Sequence, residues 1–290
     1  MKIGIIGAGK AGTTIGKVIS DSSDCLVGFY SRSFQSACDS ANFTNSNSYE
    51  KIEELILASD TLFVTVPDGE IAKVWDYIAG LSLDLNGTIF CHFSGSLSSD
   101  VFSCRGFNDD FHNKESEVRF ASFHPIFAFS NKYESFKTFQ NVYFTAEGDS
   151  FAVKKLREFF ENLGHRVSVI SSENKAKYHA ACVFASNLLV GLISSSVGIL
   201  KDCGFDEETA YSAFETLTMN NARSVFEKGA EGALTGPVER NDITTVEKHL
   251  KVLDGNDKEI YRVLTKEVIQ IAKNKHSDRD YSSMMELIGF

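Results

Sequence analysis

Short apolar runs alternate with longer stretches of helical period over the first 171 residues, and the alternation then stops. The runs at 2–7, 25–30, 61–66, 88–93, 119–124, 141–146 and 166–171 are rich in β-branched and aromatic residues and end near Gly, Pro or Ser, which predicts seven strands. Between them lie helical patterns, notably 50–58 and 151–164. In the second of these, Leu156, Phe159, Phe160 and Leu163 share one face. The polar stretch 104–117 has no period and predicts a surface loop. Beyond Ser171 only helices are predicted, at about 172–202, 206–228, a short one after Asp242, 257–275 and one near Ser283, with Asp206 and Asp242 placed to cap two of them.

Strand and helix in alternation predict an α/β domain, a Rossmann-like doubly wound sheet covered on both faces, over residues 1–171. An all-α domain, 172–290, follows. There is no internal repeat.

The opening strand runs into Gly7-Ala8-Gly9-Lys10-Ala11-Gly12, with a helical stretch behind it. In that context Gly7 permits the tight turn, Gly9 lets backbone approach a pyrophosphate, and Gly12 lets helix and strand pack closely. The phosphates would sit on the free N–H groups of the new helix. Where the second strand ends, an NAD-binding chain places an acid for the ribose hydroxyls. Here Ser31-Arg32-Ser33 stand instead. A guanidinium flanked by two hydroxyls suits a 2′-phosphate and predicts NADP(H); the alternative is a solvated turn with a surface arginine.

Composition narrows the partners. With a net charge of −10 and 43% hydrophobic residues, the chain has the character of a globular protein and lacks the basic excess that phosphate backbones or anionic membranes require. Six scattered cysteines show no zinc spacing, so no metal is expected, and they predict free thiols in a reducing compartment. The first residues form a strand and not a leader, and the expectation is a cytoplasmic protein. Residues 180–200 carry no charge over 21 positions, long enough for a membrane span. Their serines and Asn187 point to a helix buried on all sides, with burial between two subunits as one reason.

Ligands of open parallel sheets lie beyond the C-terminal strand ends. Val66-Pro67-Asp68, Ser94-Gly95-Ser96 and His124-Pro125 stand at such ends, and the remaining one of three prolines is in 234–242. Val66 and Pro67 are expected at the cofactor, Ser94 and Gly95 at the substrate. On the first helix beyond the sheet, Lys175, His179 and Ser186 fall within about 40° of one another at 100° per residue, and Asn187 lies further round as a substrate candidate. Hydride chemistry needs a proton donor. His179 fits best, with Lys175 and His124 as rivals. His92 reads as strand-end packing, and His112, His165, His249 and His276 lie in polar stretches without a signal. Arg240, which could clamp a carboxylate or form a structural ion pair, completes the candidates.

The glycine turn, Ser31-Arg32-Ser33, Val66-Pro67-Asp68, His92-Phe93-Ser94-Gly95, His124-Pro125, the run 178–187 and the run 234–242 together resemble a group of Rossmann-like proteins whose second half is a domain of unknown function. That group is similar in architecture to pyrroline-5-carboxylate reductase, ketopantoate reductase and the β-hydroxyacid dehydrogenases, the 6-phosphogluconate dehydrogenase-like arrangement. The resemblance implies an NADP-linked oxidoreductase of a small polar carbonyl, hydroxy acid or imine, with a cleft between its domains and a homodimer built through the helical half. It supplies no substrate. The chain departs from the β-hydroxyacid dehydrogenases, which place Asn four residues after the helix lysine; here His179 follows Lys175 at that spacing. A cofactor-binding sensor or scaffold without turnover is the alternative function.

Overall fold

A computed structural model describes residues 1–102 and 118–290; the loop expected at 104–117 lies outside the described residues. The chain forms two compact units, Met1–Ser186 and Asn187–Phe290. The boundary read from the end of the strand pattern, 171/172, thus moves to Ser186. The reason is local: the helix that follows the sheet packs its first residue, Lys175, into the sheet end.

The first unit holds an eight-stranded sheet in the order β3-β2-β1-β4-β5-β6-β7-β8. Its strands are β1 (Ile3–Ile6), β2 (Leu26–Tyr30), β3 (Asn47–Tyr49), β4 (Thr61–Val64), β5 (Ile89–His92), β6 (Arg119–Pro125), β7 (Tyr143–Gly148) and β8 (Arg166–Val169). The short edge strand β3 has no apolar run and was not expected. All neighbours pair in parallel except β6 and β7, so the last two strands run against the rest. The helices are α1 (Lys10–Ser22), α2 (Phe34–Thr44), α3 (Ile52–Ala58), α4 (Asp68–Ala79), α5 (Ser150–Asn162) and α6 (Lys175–Ala185).

The strand period of two sends side chains to two separate cores. Ile5, Phe63 and Cys91 pack with Ile15, Leu156 and Phe160. Their chain neighbours Ile6, Leu62, Val64 and Phe90 pack on the other face with Leu55, Ile71 and Trp75. His165, which the sequence presents as polar and uninformative, is 5% exposed and stands among the rings of Phe139, Phe144 and Phe160. Its Nδ1 accepts the Val142 N–H, while its Nε2 is buried without a partner among the described residues, which makes it a core residue only half satisfied.

The second unit comprises α7 (Asn187–Asp202), α8 (Glu207–Ala233), α9 (Ile243–Val252), α10 (Gly255–Lys275) and α11 (Ser282–Leu287). Asp206 and Asp242 cap α8 and α9 as expected, each accepting the N–H three residues on, at 2.9 and 3.0 Å. Its small core gathers Val238, Val246, Leu250, Ile269, Tyr281 and Met284.

The helical stretch Ser172–Asp202 is long and apolar enough to cross a membrane, and only 6% of its apolar window is buried within this single chain, so its own chain does not supply the cover expected for it. Phe184 and Val190 are each 69% exposed. The helix also breaks at Ser186 (φ −127°, ψ −81°), so the angular relation drawn between His179 and Asn187 on one continuous helix does not hold.

Candidate functional site

At the β1/β4 switch of strand order, where the crossovers on either side leave a crevice, the chain opens a pocket of about 530 Å³. Gly7, Ala8, Gly9, Ser31, Arg32, Ser33, Val66 and Pro67 all line it. The glycines earn their places. Gly7 has φ +113° and lies against Thr65, and a Cβ on Gly12 would stand 2.1 Å from the Gly7 carbonyl oxygen. Nothing lies within 4 Å of a Cβ placed on Gly9, the N-cap of α1, and no side chain caps that helix. No side chain of the N-cap takes its first N–H groups, and Lys10 opens α1 as an exposed residue. This is the geometry an anionic diphosphate requires.

Ser33 caps α2, accepting the Ser36 N–H at 3.4 Å, so a second helix start faces the pocket beside the exposed Arg32. Across the pocket, Glu70 and Lys73 pair at 2.7 Å. That lysine, and secondarily Arg32, hold the Glu70 carboxyl below the usual carboxylate range.

Asp68 joins this pocket's rim to the next strand end. Its Oδ2 accepts the hydroxyls of Ser94 and Ser96 at 2.7 and 2.9 Å. The Ser94–Ser99 loop is fixed from three further sides. His92 Nδ1 accepts the Ser94 N–H at 3.2 Å, while its Nε2 lies 3.1 Å from the Ser98 carbonyl. Glu147, 3% exposed, accepts both the N–H and the hydroxyl of Ser99, at 2.7 and 2.9 Å. Lys175 Nζ donates to the Ser94 carbonyl at 3.0 Å and to Ser122 Oγ at 2.7 Å.

Charge in this layer is tuned by burial. Burial pushes the Lys175 ammonium below its ordinary value, with the Glu147 carboxylate opposing. Burial likewise raises Glu147, against the two Ser99 hydrogen bonds. His92 falls to about 4 through burial, and His124 to about 4 through burial and the nearby Lys175 charge. Both imidazoles are neutral at physiological pH.

The structure brings His124 and His179 together. Their ring centroids are 5.8 Å apart and perpendicular. Both rings close on Gly95, where a Cβ would stand 2.4 Å from His179 Nδ1 and 2.8 Å from His124 Nε2. His179 Nδ1 is buried without a hydrogen-bond partner among the described residues. Lys175, by contrast, is 1% exposed and sits behind the loop with two bonds already made. Sequence reasoning missed Tyr178, whose hydroxyl lies 2.8 Å from His124 Nδ1, and it undervalued His92, which holds the loop. Tyr178 carries no local signal because its partner lies 54 residues away, and the His92 bonds to Ser94 and Ser98 form only once the strand end turns. Asn187 and Arg240 belong to the second unit, where Arg240 is exposed. Among the described residues no cluster of three potential metal ligands occurs.

Residues 1–104 match the family model of a Rossmann-like domain, and residues 142–268 match that of a domain of unknown function, DUF2520. No curated protein matches the chain. Among solved structures, the chain is similar to protein TM1727 from Thermotoga maritima, at 26% identity and TM-score 0.73 over 94% of this chain and 99% of that one. It shares its fold with a pyrroline carboxylate reductase from Plasmodium falciparum solved with NADP bound, at 15% identity and TM-score 0.57 over 95% and 96% of the chains. A reductive aminase from Aspergillus terreus in complex with NADPH is similar at 12% identity and TM-score 0.63 over 98% of each chain.

Proposed function

We propose that this protein is an NADP(H)-dependent oxidoreductase acting on a small polar carbonyl, hydroxy acid or imine. The observation that carries the reading is the continuity from the glycine turn, through Asp68, to the paired imidazoles at Gly95. A nucleotide lying along the pocket would place its phosphates at the α1 start and its adenosine end beside Ser31, Arg32 and Ser33. The bound nicotinamide supplies or accepts the hydride. The chain's own residues do the rest. The Ser94–Gly95 loop, held by Asp68, Glu147 and Lys175, forms a fixed wall. His124 and His179 present ring nitrogens where a substrate oxygen or nitrogen would change its charge. Burial, and after it the Lys175 charge behind the loop, keep His124 neutral.

The NADP-bound and NADPH-bound relatives of the same fold support the cofactor class. Arg32 supports the phosphorylated form. The apolar side chains left exposed on the helical unit support a homodimer through that unit.

Calorimetry with NADPH and NADH tests the reading. Arg32→Ala removes charge-assisted bonds worth about 1.5–3 kcal/mol, and NADPH affinity is expected to fall roughly ten- to a hundredfold while NADH affinity changes little. Equal losses would reject the 2′-phosphate assignment, and failure of the wild type to bind either nucleotide would reject the function.

A further inference from the structure

We propose that Lys73 is a second recognition cation for the 2′-phosphate of the nucleotide and that Glu70 holds it in the free protein, so that the pair sets the margin between NADPH and NADH. This rests on the reading of the pocket as an NADP(H) site and deepens it.

The fold turns two cations toward one another. In the strand order β2-β1-β4, Arg32 follows the end of β2 and α4 follows the end of β4, so the two flank the end of β1 from opposite sides. The rotation of α4 is fixed by its packing. Ile71, Trp75 and Ile78 are buried in the core beneath the helix, and at 100° per residue this turns Glu70, Lys73, Val74 and Tyr77 away from the core. All four line the pocket. The charged side chains in its lining are Arg32, Glu70 and Lys73.

Glu70 and Lys73 meet at 2.7 Å across one helical turn, with their side chains 41% and 69% exposed. A pair so well hydrated contributes little to stability. Its place gives it another consequence, because Arg32 also acts on the Glu70 carboxyl, and one carboxylate therefore answers both cations of the pocket. A phosphate monoester brings nearly two negative charges and three acceptor oxygens at neutral pH. It is the stronger partner for each cation.

When such a phosphate enters, Lys73 leaves a solvated carboxylate for a charge-assisted bond, and Glu70 is left as a like charge beside the newcomer. NADH, with a ribose hydroxyl at that point, meets neither effect. The diphosphate is common to both nucleotides and drops out of the comparison. Lys73 thus supplies an attraction, and Glu70 a repulsion, that only the phosphorylated form experiences.

The test is calorimetry of NADPH and NADH with full-length protein carrying Lys73→Met, Lys73→Arg or Glu70→Gln, substitutions of exposed side chains whose folding circular dichroism checks. Lys73→Met should weaken NADPH about tenfold, the loss of one charge-assisted bond at the low end of its range, and leave NADH within about twofold. Lys73→Arg should restore NADPH affinity to within about threefold of wild type. Glu70→Gln should tighten NADPH by about threefold to tenfold and change NADH by less than about twofold. Unchanged NADPH affinity in Lys73→Met, equal losses for the two nucleotides, or no rescue by Lys73→Arg would each overturn the proposal. So would unchanged or weaker NADPH binding in Glu70→Gln, the latter because it would make Glu70 an acceptor for the nucleotide. The wild type separates this from the functional reading. If it binds neither nucleotide, the oxidoreductase reading falls and this proposal with it; an NADPH preference that Arg32→Ala abolishes and Lys73→Met leaves intact sinks the role of Lys73 alone.

Discussion

Replacing Gly12 with alanine tests how much of the nucleotide turn depends on one missing methyl group. The new Cβ would stand 2.1 Å from the Gly7 carbonyl oxygen and 2.4 Å from Thr65 Oγ1. Neither can yield freely. The Gly7 carbonyl accepts the Thr65 hydroxyl at 2.8 Å, and Gly7 is itself wedged against Thr65 at a φ of +113°. Restoring an ordinary 3.4 Å contact requires the start of α1 and the turn to separate by roughly 1.3 Å. Overpacking of this kind costs about 1–3 kcal/mol, which in a unit of this size lowers Tm by roughly 2–12 °C. The effect on binding is larger, because a shift of about 1 Å in a positioned group costs about a hundredfold, and the displaced atoms belong to the residue that shapes the phosphate end of the pocket. Calorimetry with NADPH, beside differential scanning calorimetry of the free protein, reads both quantities. A variant that is destabilised as stated but binds NADPH within about threefold of wild type would refute the claim that the turn holds the diphosphate.

Two further outcomes follow from burial and exposure. His92 and His124 are held at about 4 in the folded chain, against 6.5 ordinarily. Below pH 6.5 the unfolded chain therefore takes up protons that the folded chain refuses, and stability falls as pH drops toward 4, by up to about 3 kcal/mol for each ring. Glu147 acts in the opposite sense, since its raised carboxyl costs stability as pH rises through its folded value. Urea unfolding of wild type and His92→Gln at pH 7 and pH 4.5 isolates the His92 share; identical slopes in the two proteins would count against it. On the helical unit, Leu188, Val190, Leu217 and Phe226 are 50%, 69%, 56% and 91% exposed, more large apolar surface than a monomer keeps in water. Sedimentation equilibrium should show a dimer that Val190→Glu weakens at least tenfold, and a wild-type monomer at micromolar concentration would reject the pairing.

The nucleotide end of the site was legible because its signal is local. A strand, three glycines and a helix occupy twelve consecutive residues, and Arg32 follows the second strand at the expected distance. Seven strands were legible from period and composition, whereas β3 was not, being a three-residue Asn-Ser-Tyr edge held by its neighbour β2. The reversed direction of β7 and β8 left no trace either, since an apolar run does not encode which way it pairs. The cover of the long apolar helix was not legible, because hydropathy reports the need for cover and not its source, and its own chain buries only 6% of the apolar window. The burial of His165 was not legible either: its cover comes from rings at Phe139 and Phe144, outside its polar local sequence.

The reacting end was only half legible, and the cause is the polar layer beneath it. His92, Ser122 and Glu147 are register partners on β5, β6 and β7, so their side chains share one level of the sheet, and Lys175 enters that level from α6. All four are buried. Each group lacking a partner there would cost about 1–3 kcal/mol, and none lacks one. Apolar residues of similar volume would fill the same space as stably or more so, so stability does not account for the layer. Its bonds share one destination: His92 holds Ser94 and Ser98, Lys175 holds the Ser94 carbonyl, and Glu147 holds Ser99. The layer fixes the loop that carries Gly95. A loop left to apolar packing would place Gly95 less narrowly against the two imidazoles, which pack so closely on it that a Cβ there would meet His179 Nδ1 at 2.4 Å and His124 Nε2 at 2.8 Å.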